Sequence, residues 1–86
     1  MNETPENRLK RLHMRSWRRG IKEMDLILGS FADSSLKNLN SDQLELYESL
    51  LVENDQDLYP WFNGMVPCPP KHVQIMEIIR NATIIR

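Results

Sequence analysis

Apolar residues recur along this chain with the period of an α-helix. At about 100° per residue, Trp17, Ile21, Met24, Leu28 and Phe31 fall within a stripe roughly 80° wide, the signature of a face buried against other helices. The pattern predicts a helix across residues 17–31, weakened near its end by Gly29 and Ser30. Ahead of it, Thr4 is placed as N-cap, Pro5 at the first helical position and Glu6 in the first turn. These signals predict a helix from about residue 5 through Leu9, Leu12 and His13 towards Ser16, where a bend would let both segments pack in one small domain.

Asn40 with Gln43 three residues later is a capping-box variant, and it opens a helix whose inner face is Leu44, Leu46, Tyr47, Leu50 and Leu51. Asn54 or Asp55 caps a fourth, shorter helix containing Leu58, Tyr59, Trp61 and Phe62. Pro60 removes one of its backbone donors and must sit in the first turn or kink it, and Asn63-Gly64 ends it. Val66-Pro67-Cys68-Pro69-Pro70 reads as a stiff extended connector, because proline restricts both itself and its predecessor. Ile75, Met76, Ile78, Ile79 and Ala82 then share one side of a final helix. With no period-two alternation and no internal repeat, the expectation is an all-α fold, a small five-helix bundle. It forms a single domain over residues 1–86, with its ordered core at about 5–80. Trp17, Ile21, Met24, Leu28, Leu50, Leu51, Trp61 and Ile79 are expected inside it.

Size narrows the function. A chain of 86 residues buries only about 60–65% of its unfolded surface and has little room for a deep substrate cavity, which disfavours a self-contained enzyme. The lone Cys68 cannot form an internal disulfide and suits a reducing compartment; with His13 and His72 far apart, no metal-ligand cluster is visible. No apolar run approaches bilayer length, and no secretory segment opens the chain. Glu3 and Glu6 argue against an acid-poor transit peptide, so the chain reads as mature from near Met1.

Net charge is −1, but its distribution is uneven. Arg8, Lys10, Arg11, Arg15, Arg18, Arg19 and Lys22 lie in a span free of Asp and Glu, whereas residues 42–57 hold Asp42, Glu45, Glu48, Glu53, Asp55 and Asp57 and no Lys or Arg. The basic arm suits an anionic or nucleic-acid partner, or the acidic segment folds against it and neutralises it internally; the second is preferred.

Catalytic constellations are poorly supported. His72 falls on the apolar side of the last helix as a hydrogen-bonded core-edge residue, Cys68 reads as structural, and no Walker or dinucleotide glycine pattern occurs. Tyr59, Trp61 and Phe62 form either a stacking or interaction platform or part of the core; Trp61 is assigned to the core and Tyr59 is left open. A docking unit is better supported. On a continuous helix Arg19 and Glu23 are surface neighbours four positions apart, and Gly20, between them and the core, forms a bare notch for close approach. Leu26 projects beside them, off the buried stripe.

Arg19-Gly20-x-x-Glu23 followed by Met24-Asp25-Leu26-Ile27-Leu28-Gly29-x-Phe31-Ala32, then Leu50-Leu51 and Asp55-x-Asp57-Leu58-Tyr59-x-Trp61, resembles the FAD assembly factor family of succinate dehydrogenase, the SdhE-like flavinylation factors. The ordered set spans residues 8–62; Pro60 and the tail after residue 65 depart from the family pattern. The resemblance implies a five-helix assembly factor and chaperone, not an enzyme. It would bind the flavoprotein subunit of succinate dehydrogenase, and in some bacteria fumarate reductase, and promote covalent attachment of FAD to a histidine of that client. It further implies that Arg19, Gly20 and Glu23 meet the client; Leu26, Arg18, Arg15, Asp57 and Tyr59 complete the expected partner-binding set. No cofactor is expected to be held tightly by this chain, FAD belonging to the client. The expected state is a monomer without nucleic acid or membrane insertion, cytoplasmic in a bacterium or in the mitochondrial matrix of a eukaryote. The remaining alternative is a small helical nucleic-acid-binding or regulatory adaptor protein using the basic N-terminal helices.

Overall fold

The computed structural model describes residues 3–82, so the reading of maturity at Met1 lies outside the described residues. Five helices follow one another: α1 (Pro5–Trp17), α2 (Lys22–Ser35), α3 (Ser41–Leu51), α4 (Asp55–Phe62) and α5 (Pro70–Ala82), with a 3₁₀ turn at Leu36–Asn38 after α2. Among the described residues there is no strand. The all-α expectation is met.

Local chemistry sets most boundaries. Thr4 accepts the Asn7 amide ahead of Pro5, and Asn40 and Gln43 form the full reciprocal capping box that opens α3. Asn54 occupies the N-cap position of α4 but makes no side-chain cap, and the carboxylate of the next residue, Asp55, is engaged by Arg19 and Gly20. Pro60 lies inside α4, in its second turn, so the first-turn alternative of the two expected for it does not hold. Gly64, at φ 82°, supplies the left-handed turn that reverses the chain after α4.

The central helix is α2, which packs on α1, α4, α5 and the 3₁₀ turn, while α3 closes the bundle against α5 and α1. One apolar cluster fills the space between them, built on Leu12, Met24, Leu28, Phe31, Tyr47, Leu50, Leu58, Ile75, Met76 and Ile79. Two polar side chains are buried alongside it among the described residues, Ser16 and His72. The buried Ser16 hydroxyl donates to the Leu12 carbonyl at 2.8 Å and meets the Tyr47 hydroxyl at 2.6 Å, where burial pushes the Tyr47 phenol up to about 12.

Three expectations are corrected. Helix α2 begins at Lys22 rather than Trp17 and runs past Gly29 and Ser30 to Ser35, so residues 18–21 form a non-helical turn. Trp17, expected in the core, is 37% exposed: its indole lies across Gly29, where an added Cβ would come within 2.3–2.6 Å of three ring carbons. Gly29 is therefore the close-approach glycine of this fold, and it receives the chain's own tryptophan. Ile21 and Trp61 are half-buried at the edge of the core rather than inside it.

Candidate functional site

The turn between α1 and α2 is held by Arg19. Its Nε donates to Asp55 Oδ1 at 2.6 Å, Nη1 to the Leu51 carbonyl at 2.9 Å and Nη2 to the Glu53 carbonyl at 2.7 Å. The guanidinium thus serves the last carbonyl of α3 and one in the link to α4, and pairs with the first residue of α4. Both charged side chains are only 10% exposed. Asp55 completes the lock with its other oxygen, which accepts the Gly20 amide at 2.6 Å and the Ile21 amide at 3.2 Å. Asp25 accepts the Arg19 amide at 2.7 Å. The Gly20 and Ile21 amides that lead into α2 are in this way already occupied by a carboxylate of the same chain.

This geometry corrects the reading of Arg19, Gly20 and Glu23 as a helical surface unit. Arg19 pairs with Asp55 and not with Glu23, and its side chain is an internal clamp. Gly20 sits exposed in the turn, its φ is not positive, and an added Cβ would meet only Asp55 Oδ2 at an ordinary 3.6 Å. It forms no notch in a helix. Glu23 lies in the first turn of α2, exposed to solvent.

What the clamp fixes in place is a groove between α2 and α4. Glu23, Leu26, Ile27, Tyr59, Phe62 and Asn63 line it, around a hollow of about 270 Å³. Leu26 is 52% exposed on its rim, Tyr59 is half-buried in its wall, and Phe62 forms the floor. Three expected site residues, Glu23, Leu26 and Tyr59, are therefore brought together. Asp57 is exposed in the first turn of α4 but does not line the groove. Arg15 and Arg18 are exposed on the far side of the turn, in a separate hollow shared with Arg11, Met14 and Arg19.

Ile27 and Phe62 were missed as site residues, although Glu23, Leu26 and Ile27 are spaced i, i+3 and i+4 and so share a helix face. The sequence offers Asp55 as a helix cap, in the acidic segment and in the family motif; its clamp role depends on a residue 36 positions away.

Elsewhere, opposite charges neutralise one another internally, as expected. Arg8 and Arg11 both reach Glu48, at 3.2 and 2.8 Å. Buried His72 faces Glu53 across 2.7 Å and packs at 5.7 Å from the Trp61 ring, a core-edge histidine as its spacing suggested. This hydrogen bond holds the Glu53 carboxyl below its ordinary value. His13 is not without a carboxylate: its Nε2 lies 2.5 Å from Asp33, which also accepts the Trp17 indole N–H at 3.1 Å. The His13 contact, then the indole, lower the Asp33 carboxyl. Burial pushes the half-buried Cys68 thiol up, which argues against a reactive thiolate. No group of His, Cys, Asp and Glu among the described residues is arranged to hold a metal ion, and no described helix is long and apolar enough to cross a membrane.

Comparison with known proteins finds relatives over nearly the whole chain. The family described as flavinator of succinate dehydrogenase matches residues 10–83. The mitochondrial succinate dehydrogenase assembly factor 2 of Drosophila grimshawi is 39% identical over 83 residues, covering 93% of this chain and 56% of the relative. Assembly factor 2-B of Drosophila mojavensis is 38% identical over 82 residues, covering 92% and 52%. The chain spans about half the length of these relatives. With the match running through the clamp, the groove and α5, the chain belongs to the flavinator family of succinate dehydrogenase assembly factors.

Proposed function

We propose that this chain binds the flavoprotein subunit of succinate dehydrogenase through the α2–α4 groove and promotes covalent attachment of FAD to it. The observation that carries the reading is Leu26. A leucine 52% exposed beside Glu23, above an aromatic-walled hollow and in the second turn of a helix whose entry is locked by a buried ion pair, is a preorganised anchor for a partner. Glu23 supplies a charge that sets register, and Gly20 leaves the approach beside it low. Arg19 acts through Asp55, as a positioning residue for the groove.

The proposed mechanism is a population shift. Binding favours a flavoprotein conformation in which flavin and acceptor histidine are held in reacting geometry, so the factor accelerates the step without chemistry of its own. FAD enters as the client's cofactor. In support, the Gly20 and Ile21 amides just ahead of α2 are engaged by Asp55, and neither Gly29 nor Gly64 stands at a helix start. The factor acts as a monomer wherever the flavoprotein acquires its flavin, in the mitochondrial matrix of a eukaryote or the cytoplasm of a bacterium.

The test is a deletion strain. The flavoprotein subunit should still be synthesised, while its in-gel flavin fluorescence after denaturation falls. Normal covalent flavin in that strain, with no backup factor operating, would refute the reading.

A further inference from the structure

The outer stripe of α1 has no role in the fold and none in the groove. Among the described residues Arg8, Arg11, Arg19 and Arg80 each hold an acceptor of the chain itself, whereas the exposed Arg15 and Arg18 hold none. Lys10 is likewise exposed and unpaired. Between these cations stands Met14, 52% exposed, one helical turn after Lys10 and sharing a hollow with Arg15 and Arg18, the latter just past the end of α1. Met14 lies at the junction of two hollows. One, of about 410 Å³, is apolar, floored by Leu9, Ala32 and Leu36. The other, of about 500 Å³, is walled by arginines, and no carboxylate lines either.

We propose that this stripe, Lys10, Met14, Arg15 and Arg18, is a second docking surface that receives an acidic segment of the partner flavoprotein, carboxylates on the guanidinium forks and an apolar side chain against Met14. Charge complementarity selects the carboxylates, because free guanidinium groups present donors in the fork that carboxylates match bidentately. The apolar hollow selects a protein side chain. A duplex would instead ask for many phosphate contacts, and on this chain the cationic stripe is narrow and the net charge is −1. Continuity supports the same partner: Arg19 lines the arginine hollow, Gly20 and Ile21 follow, and Glu23 opens the groove. The inference rests on the groove reading above, and it assigns to the stripe the rate and salt dependence of association rather than the anchor itself.

The experiment measures affinity for the isolated flavoprotein subunit at about 50 and about 200 mM salt for wild type, the double variant R15Q/R18Q and Leu26→Asp. Wild-type binding should weaken with salt. R15Q/R18Q should bind about tenfold more weakly at the lower salt, lose most of the salt dependence and keep its thermal midpoint, since neither guanidinium holds the fold. Wild-type affinity and salt slope in R15Q/R18Q, with binding still lost in Leu26→Asp, would overturn the stripe and leave the groove standing. Absence of flavoprotein binding by wild type, together with steeply salt-dependent binding of nonspecific duplex DNA that R15Q/R18Q loses, would overturn both and assign the stripe to nucleic acid.

Discussion

Arg19 and Glu23 stand four residues apart, and the fold puts them to opposite uses. Arg19 is drawn inward, where two carbonyls and a carboxylate take up its guanidinium, and Glu23 stays in solvent beside an exposed leucine. The clamp is polar, dry and internally satisfied; the groove is apolar, open and without a partner in the chain. A motif read as one unit is thus two devices, one that shapes the turn and one that meets the outside. The difference teaches that loss of function at the two positions should have different physical causes.

The largest effect expected is at the clamp. Arg19→Ala leaves Asp55 a nearly buried carboxylate without its cation and strips the Leu51 and Glu53 carbonyls of their donor, which should cost about 3–5 kcal/mol. Urea unfolding checks this. An unchanged midpoint would return Arg19 to the surface and erase the contrast with Glu23.

Next comes Gly29, the glycine that a close contact does require. Gly29→Ala drives a methyl into the Trp17 ring and should cost about 1–3 kcal/mol, with a change in tryptophan fluorescence as the indole lifts away. If Gly29→Ala is as stable as wild type with an unchanged spectrum, the indole does not lie on α2.

The smallest effect belongs to acid. The Glu53 carboxyl is lowered in the fold by its bond to His72, so the stability it contributes is fully present above its ordinary unfolded value of 4.5 and is lost as pH falls through the lower folded value. Thermal scans from neutral pH down to the acid limb should therefore show a shallower fall for Glu53→Gln than for wild type. Parallel limbs would remove the Glu53 contribution.

Much of the fold was legible because it is written locally. The caps at Thr4 and Asn40 and the buried Met24, Leu28, Leu50, Leu51 and Ile79 follow from residue type and spacing alone. The break at residues 18–21 was not legible, since the apolar period of Trp17, Ile21 and Met24 runs straight through it and no proline marks it. Its cause is tertiary: Asp55 and Asp25 take the amides of Arg19, Gly20 and Ile21. Once the helix is broken there, Trp17 turns over Gly29 instead of entering the core. In the site, Leu26 was readable as an apolar residue off the buried stripe; the wall opposite it, Tyr59 and Phe62, needed the path of α4 around Pro60.

The central claim is that the groove docks the flavoprotein while the clamp only shapes it, and Leu26→Asp tests it most directly. The side chain is exposed, so the variant should unfold within about 0.5 kcal/mol of wild type. Its affinity for the flavoprotein subunit should nevertheless fall by about a hundredfold, as expected when an apolar anchor is replaced by a charge. Wild-type affinity in a folded Leu26→Asp protein would contradict the account and place the docking surface elsewhere on the molecule.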